Sequence, residues 1–275
     1  WIGSKIKEIN LSKSRCKAKC PVAEQCGGCN LQHLSSKAQL TVKNRSVCET
    51  IKRIGNIKNK LTITKSEVGS PFHYRNKCII PLGKSREGKL LLGYYKRNTH
   101  EIVDIVNCPV LDNRIDNLLP EIKSDILKSN CSIYSKNSEG LKHLSVRIAK
   151  RTGEILITLV STTDELNDLS KKVKEWKSKW PNIVGITLNT NKEKNNVIFG
   201  RQTQLLCGRD HIREVFCGLS IYIGTTTFFQ VNTVLAEKTV YDIVNWIKKE
   251  ANVVRVIDLY CGIGTISLPI ASEGI

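Results

Sequence analysis

The sequence contains no methionine, few aromatic residues and no long apolar run. Methionine is absent from all 275 residues, and phenylalanine, tryptophan and tyrosine together make up 6%. A chain of this size normally carries an initiator and some internal methionines, so we expect a fragment of a longer protein. No run approaches the roughly 20 apolar residues of a membrane-spanning helix, which excludes a membrane protein of that class. The first residues also lack an apolar signal region, so the expected location is the cytoplasm, without a membrane partner.

The charge of the chain is strongly biased towards one sign. Lysine and arginine number 43 against 25 acidic residues, which gives a formal net charge of +18. The hydrophobic share of 40% and the charged share of 25% are those of a folded globular protein, which excludes a wholly disordered chain. A strongly basic folded protein favours a polyanionic partner, and nucleic acid is the first candidate.

Eleven cysteines are an odd number, spread along a chain with no export signal. This usage argues against a disulfide framework and for metal binding or reactive thiols. Cys20, Cys26 and Cys29 lie within ten residues, and the glycines between the last two permit a tight loop. Three close thiolates need a fourth ligand, either in a tetrahedral zinc site or in an iron–sulfur cluster, and the spacing favours the cluster. Spacing does not choose among the candidates for the fourth ligand, which are Cys16, Cys48, Cys78 and Cys108.

The middle of the chain has the pattern of an α+β domain. An amphipathic stripe predicts a helix over residues 36–54, with Gly55 as its stop. Short β-rich pieces follow between Tyr74 and Val106 and predict an antiparallel meander. The further elements expected are a helix after Pro109 that kinks or breaks at Pro120, a hairpin of strands 143–149 and 154–161, a helix carrying Leu166 to Trp176, and a strand over 183–188.

The last stretch changes to an α/β pattern. A helix over residues 233–249 leads into the apolar run Val253–Leu259, which predicts a strand buried on both faces of a parallel sheet. Asp258 ends this strand, and Gly262 and Gly264 form a turn against which a nucleotide-like ligand can lie. A carboxylate before such a turn is typical of S-adenosylmethionine sites. Ser267 stands where a dinucleotide-binding turn has its third glycine, which disfavours an NAD-dependent oxidoreductase.

Several ordered motifs together resemble one family. They are Cys20-x5-Cys26-Gly-Gly-Cys29, Tyr74-Arg-Asn-Lys77, Asn107-Cys-Pro-Val-Leu111, Phe228-Phe-Gln-Val-Asn232 and Asp258-Leu-Tyr-Cys-Gly-Ile-Gly264. The chain is similar from about Cys20 onward to the RNA uracil-5 methyltransferases, in particular the iron–sulfur branch that methylates 23S ribosomal RNA. The resemblance implies a 4Fe-4S cluster held by Cys20, Cys26, Cys29 and Cys108. It also implies that S-adenosyl-L-methionine is bound by Gln230, Tyr260, Gly262 and Thr265.

The resemblance also implies a domain organisation of mixed α/β and α+β class. Residues 1–15 would be the remnant of a TRAM β-barrel, and residues 16–31 the iron–sulfur loop of the central domain. Residues 32–68 would form a helix that packs on the methyltransferase domain, and residues 69–227 the central α+β domain. Residues 228–275 would begin a Rossmann-like class I methyltransferase domain.

The family's chemistry is methyl transfer to C5 of a uridine through a covalent cysteine–C6 adduct, with a glutamate as the base. The resemblance places that cysteine and glutamate downstream of Ile275, so we expect no catalytic residue, and no activity, in residues 1–275 alone. Cys261 lies in the cofactor turn and is not expected to be the nucleophile.

RNA contact is predicted at Tyr74, Arg75, Asn76 and Lys77, since an aromatic ring beside cations can stack a base and neutralise phosphate. A solvated strand end explains these residues equally well. The expected assembly is a monomer acting on ribosomal RNA. The alternative function is a non-catalytic RNA-binding module with a structural zinc.

Overall fold

The computed structural model describes residues 9–57, 63, 66–166, 169–250 and 253–275. The chain divides into two compact units, Trp1–Ser66 and Glu67–Ile275. The TRAM remnant expected in residues 1–15 falls mostly outside the described residues, which begin at Ile9. The domain boundaries inferred from the resemblance remain predictions.

The described residues of the first unit form a series of turns followed by the helix α1 (Ser36–Ile54). Ser35 caps the helix, because its side chain accepts a hydrogen bond from the Ala38 N–H at 3.4 Å. The helix ends at Gly55, whose N–H donates to the Ile51 carbonyl at 2.9 Å. The predicted helix and its stop are therefore confirmed. The left-handed residue that turns the chain away is Asn56, with φ of 51°, and not the glycine.

The second unit is a mixed α/β structure built on a seven-stranded sheet. Its elements in chain order are β1 (Lys77–Lys84), β2 (Leu90–Tyr95), β3 (Ile102–Asp104), α2 (Asn113–Lys128), β4 (Leu141–Ile148), β5 (Ile155–Ser161), α3 (Ser170–Lys179), β6 (Ile183–Thr190), β7 (Gln202–Gly208), β8 (His211–Phe216), β9 (Leu219–Gly224), α4 (Thr233–Lys249) and α5 (Ser267–Ser272). The strand order in the large sheet is β3-β2-β1-β4-β5-β6-β7. β8 and β9 form a separate antiparallel hairpin.

Most of the sheet is antiparallel, as the short connections predict. Among the named strands of the described residues, only β5 and β6 pair parallel, and α3 joins them as a crossover. The hairpin of β4 and β5 turns at Gly153, whose φ is 80°. The meander, this hairpin and the strand after α3 are thus confirmed. α2 runs on through Pro120 without breaking.

The two faces of the sheet differ in character. α2 and α3 cover one face with apolar side chains, and the Trp176 Nε1–H of α3 donates to Asp125 Oδ2 of α2 at 2.8 Å. The β8–β9 hairpin, α4 and α5 form a second core in which Phe216 and Phe229 meet edge to face at 5.4 Å. Leu156 of β5 belongs to this second core, so the hairpin packs near the face of the sheet that carries Leu156.

The prediction of a strand over Val253–Leu259 is wrong. These residues have no strand conformation, and Val254 is 94% exposed. A buried parallel strand needs neighbours to accept and donate its backbone hydrogen bonds. Within the described residues, no strand pairs with this segment. After α4 the described chain therefore continues as an unpaired apolar segment and a glycine turn, and the Rossmann-like domain stays a prediction.

The helices also bear on the membrane prediction. None of the described helices combines the length and the apolar character that a bilayer span requires. α4 confirms the predicted bounds, with Asn232 capping it through Leu235 N–H at 3.2 Å. The buried face of α4 includes Val244, whereas Ile243 is only partly buried.

Candidate functional site

The cysteine loop of the first unit is built from consecutive turns. Cys26 is buried and donates its backbone N–H to the Val22 carbonyl at 2.8 Å. Its sulfur faces the backbone N–H of Gly28 at 3.4 Å. The backbone N–H of Cys20 donates to the side-chain carbonyl of Gln32 at 3.2 Å. The Cys26 sulfur therefore accepts a backbone hydrogen bond, as the thiolate of a metal-bound cysteine also can.

The residues proposed as cluster ligands do not form a metal site in the structure. Among the described residues, no group of three or more histidine, cysteine, aspartate or glutamate side chains is placed to hold a metal ion. Cys108 belongs to the second unit, where it is buried and its backbone N–H donates to Asp116 Oδ1 at 2.7 Å. The three thiols of the loop therefore do not form a preassembled metal site among the described residues.

Cys78 was another candidate for the fourth ligand. It lies on β1 and is completely buried. Burial raises the pKa of the Cys78 thiol to about 12, so this thiol stays protonated at neutral pH. Its surroundings are those of a core cysteine.

Asn76 connects the start of β1 to the segment that contains Gln230. It is 2% exposed, and its Nδ2 donates to the Gln230 carbonyl at 2.9 Å and to Thr233 Oγ1 at 2.8 Å. Its backbone N–H donates to the Val231 carbonyl at 2.9 Å. These bonds fix the backbone of the 230–233 segment and leave the side chain of Gln230 exposed. The RNA contact predicted for Asn76 thus falls on an interior side chain that positions its neighbours.

The glycine turn has three left-handed residues at alternate positions. Tyr260, Gly262 and Gly264 have φ of 63°, 58° and 78°. The Gly264 N–H donates to the Cys261 carbonyl and the Gly264 carbonyl accepts from the Leu268 N–H, both at 2.9 Å. This geometry projects the ring of Tyr260 fully into solvent, at 102% exposure. A left-handed tyrosine costs about 1 kcal/mol, which a ligand contact would offset.

The two glycines of the turn have different roles. A Cβ on Gly264 would lie 2.8 Å from the Leu268 side chain, so this position must stay small for the turn to pack on α5. A Cβ on Gly262 would meet no atom within 4 Å. Gly262 therefore has a bare backbone with open space beside it, which suits the approach of a ligand. Thr265 follows this turn and is half-buried.

Asp258, just before the turn, has one carboxylate oxygen without a hydrogen-bond partner among the described residues. Its Oδ2 is buried and, among the described residues, no donor bonds to it. A buried carboxylate oxygen without a donor costs on the order of 1–3 kcal/mol, so such atoms call for a partner. The hydroxyl and amino groups of S-adenosylmethionine are donors of the required kind. The residues of the turn thus fit this ligand.

Tyr74, Arg75 and Lys77 lie together where β1 begins, and all three are half-buried. Arg75 Nε donates to the Lys77 carbonyl at 2.9 Å. Lys77 places its ammonium over the Phe199 ring, 5.1 Å from the centroid. Burial and the nearby charge of Arg147 lower the pKa of Lys77 to about 8.

Two residues near these loops were missed or misjudged. Two adjacent aromatic residues are more often core than functional, yet the Phe228 ring is 77% exposed while Phe229 is buried. Arg147 is not among the predicted site residues, although a cation between the apolar Val146 and Ile148 of β4 is a detectable signal. Phe228 belongs to the 227–233 segment, and Arg147 donates to the Thr227 carbonyl of the same segment.

The chain is similar over nearly all of its length to curated RNA methyltransferases. It is 39% identical over 276 residues to an uncharacterized RNA methyltransferase of Parasynechococcus marenigrum, which covers 100% of this chain and 59% of the relative. It is 40% identical over 279 residues to one of Prochlorococcus marinus, covering 99% of this chain and 66% of the relative. A Bacillus cereus relative is 36% identical and covers 98% and 59%. No family model matches the chain.

A solved structure shows the same likeness in three dimensions. It is the crystal structure of a Pyrococcus abyssi tRNA (uracil-54, C5)-methyltransferase in complex with S-adenosyl-L-homocysteine. The TM-score is 0.71 at 25% identity, over 98% of this chain and 59% of that one. The resemblance to RNA methyltransferases indicated by the motifs is therefore confirmed. The chain spans between 59% and 66% of the length of the three curated relatives named above.

Proposed function

We propose that this chain is part of an S-adenosylmethionine-dependent RNA (uracil-5)-methyltransferase. The observation that carries the proposal is the likeness, over 98% of the chain, to a uracil-C5 tRNA methyltransferase bound to S-adenosyl-L-homocysteine. The local geometry supports it, because the glycine turn offers the open backbone of Gly262 and the unpaired oxygen of Asp258.

The residues proposed to hold the methyl donor are Gln230, Tyr260, Gly262 and Thr265. Asn76 fixes the backbone that carries Gln230, and Tyr260 offers an exposed ring on which a purine can stack. When bound, S-adenosylmethionine supplies an electrophilic methyl group on a sulfonium. The chain's own part is to orient that donor against the turn and to bind the RNA beside it.

The proposed reaction begins with a cysteine thiolate that adds to C6 of the uracil, because C5 is otherwise a weak nucleophile. The enolate so formed takes the methyl group at C5, a general base removes the C5 proton, and the thiolate leaves C6. We propose that this cysteine and a glutamate base lie beyond residue 275. The target base must leave its stack to react, so looped or single-stranded RNA is the expected substrate.

The proposed substrate is 23S ribosomal RNA, and the proposed partner of the cysteines is a 4Fe-4S cluster. The support is the Cys20-x5-Cys26-Gly-Gly-Cys29 spacing together with Cys108, which the resemblance associates with the ribosomal branch. Metal sites are often formed only when the metal binds, so a loop without a preformed site is compatible with a cluster. We further propose that the protein acts as a monomer.

Binding of the methyl donor tests the cofactor proposal directly. In the full-length protein, Gly262→Val fills the open side of the turn, and we expect at least a tenfold loss of S-adenosylmethionine affinity by calorimetry. Gly88→Val, at an exposed turn with a similarly left-handed φ of 82°, is the matched control and should bind normally. Equal affinity of both variants would contradict the proposed site.

Two further measurements test the RNA substrate and the iron–sulfur cluster. Labelled methyl groups should enter C5 of uridine in 23S ribosomal RNA, whereas transfer to tRNA alone would refute the ribosomal assignment. Protein purified without oxygen should contain about four irons with matching sulfide, as a cubane cluster requires. Zinc without sulfide would refute the cluster and favour the RNA-binding module with a structural zinc.

A further inference from the structure

Two cations face each other on neighbouring strands of the large sheet. β1 and β4 pair antiparallel, and their register sets Lys77 directly opposite Arg147. Side chains of directly opposed residues lie on the same face of a sheet, where like charges destabilise the pair. Arg147 is also only 3% exposed. Such an arrangement needs a reason, because buried charges in proteins are normally paired.

The surroundings provide little compensation for these charges. Arg147 Nη2 donates to the Thr227 carbonyl at 2.6 Å, but its Nη1 is buried with no acceptor. The ammonium of Lys77 lies over the ring of Phe199. In the part of the chain that the structure describes, no carboxylate forms an ion pair with either cation. The pair therefore has two positive charges and at least one unused N–H donor.

Removal from water lowers the pKa of both groups. Burial, and then the charge of Arg147, lower the pKa of Lys77 to about 8. Burial lowers the pKa of Arg147 to about 10. An anion between the two groups would reverse both effects.

The pair lies next to the segment that carries the proposed donor site. Thr227, the partner of Arg147, immediately precedes the exposed ring of Phe228. Asn76, the residue before Lys77, holds the carbonyl of Gln230. The segment from Thr227 to Gln230 thus contacts Arg147 at its first residue and carries the proposed S-adenosylmethionine ligand Gln230 at its last.

We propose that Lys77 and Arg147 form an anion site that holds a backbone phosphate of the RNA beside the target uridine. The proposal rests on the proposed function. A phosphodiester supplies the missing negative charge and offers oxygens to the Lys77 ammonium and to the free N–H of Arg147. Holding the RNA backbone at this point would set the position of the target uracil relative to Gln230. Arg147 would act as a substrate-positioning residue.

The test is Lys77→Met in the full-length protein, which keeps the length of the side chain over Phe199 and removes the charge. The probe is a fluorescein-labelled oligouridylate of 15 nucleotides, titrated at several salt concentrations. We expect Lys77→Met to bind the oligouridylate about tenfold more weakly, because it loses one charged hydrogen bond to the phosphate. The slope of log affinity against log salt should fall in magnitude by about 0.7, the value for one phosphate contact on a single strand.

Lys84→Met is the matched control, since Lys84 lies on the same strand but is exposed. It should change affinity less than twofold. Thermal unfolding separates a binding role from a structural one. Lys77→Met removes repulsion from Arg147, so its melting temperature should equal or exceed that of the wild type. A lower melting temperature together with weaker binding would instead make Lys77 structural and overturn the proposal.

Sulfate provides a readout that needs no RNA. At equal ionic strength, sulfate should raise the melting temperature of the wild type more than that of Lys77→Met, because an anion that binds the folded state stabilises it. Equal shifts would overturn the site.

The outcomes distinguish this proposal from the one on which it rests. A wild-type protein that binds no oligouridylate would refute both the RNA function and the phosphate site. A wild type that binds, beside a Lys77→Met variant with the same affinity and salt slope, would refute the phosphate site alone. A sulfate effect at Lys77 without any effect on RNA binding would refute RNA as its ligand.

Discussion

Replacing Asn76 tests whether one buried amide holds the proposed donor segment in place. Asn76→Ala removes the two side-chain hydrogen bonds, to the Gln230 carbonyl at 2.9 Å and to Thr233 Oγ1 at 2.8 Å. Each is worth about 1 kcal/mol, and the cavity left by a side chain that is 2% exposed adds to the loss. We expect the free energy of unfolding to fall by about 2–3 kcal/mol. For a unit of this size the melting temperature should fall by about 4–12 °C.

The assay is thermal unfolding followed by circular dichroism, together with calorimetric titration of S-adenosylmethionine. The affinity for the donor should fall as well, because the backbone of Gln230 loses its anchor. Asn137→Ala, at an exposed position, is the control and should change stability by less than about 0.5 kcal/mol. An Asn76→Ala protein that melts within one or two degrees of the wild type would show that these hydrogen bonds do not stabilise the fold.

Two further predictions concern the stability of the second unit. Burial opposes ionisation of Asp112, but hydrogen bonds from Arg114 and Lys150 outweigh it and hold the pKa of this carboxyl well below its usual range. This stabilisation is present above the unfolded-state pKa of about 3.9 and is lost as the pH falls towards the lower folded-state pKa. We therefore expect Asp112→Asn to lower the free energy of unfolding in urea by about 2 kcal/mol at pH 7 and by clearly less at pH 3. In Gly185→Ala a Cβ would lie 1.6 Å from a backbone carbonyl oxygen at the end of β7, so we expect a loss of about 3 kcal/mol. Gly88→Ala, which meets no atom within 4 Å, should cost only about 1 kcal/mol, and equal losses would contradict the packing between β6 and β7.

Some elements could be predicted because their signals are local. The stripe and cap of α1, the apolar spacing of α4 and the hairpin turn at Gly153 each lie within a few residues of the structure they specify. β7, β8 and β9 were not predicted. β7 is largely exposed and β8 is only partly apolar, so neither has the apolar run or clean alternation that marks a strand.

The basic charge, the helical segments and the ordered motifs that resemble RNA uracil-5 methyltransferases can be read from the chain without its fold. These are properties of composition and of short-range spacing. Tertiary structure decided which residues are inside: it buried Asn76 and Arg147, exposed Phe228, and left Val254 outside any sheet. The physical reason is that burial and strand pairing depend on partners distant in the chain. The opposition of Lys77 and Arg147, 70 residues apart, exists only because β1 and β4 pair in one register.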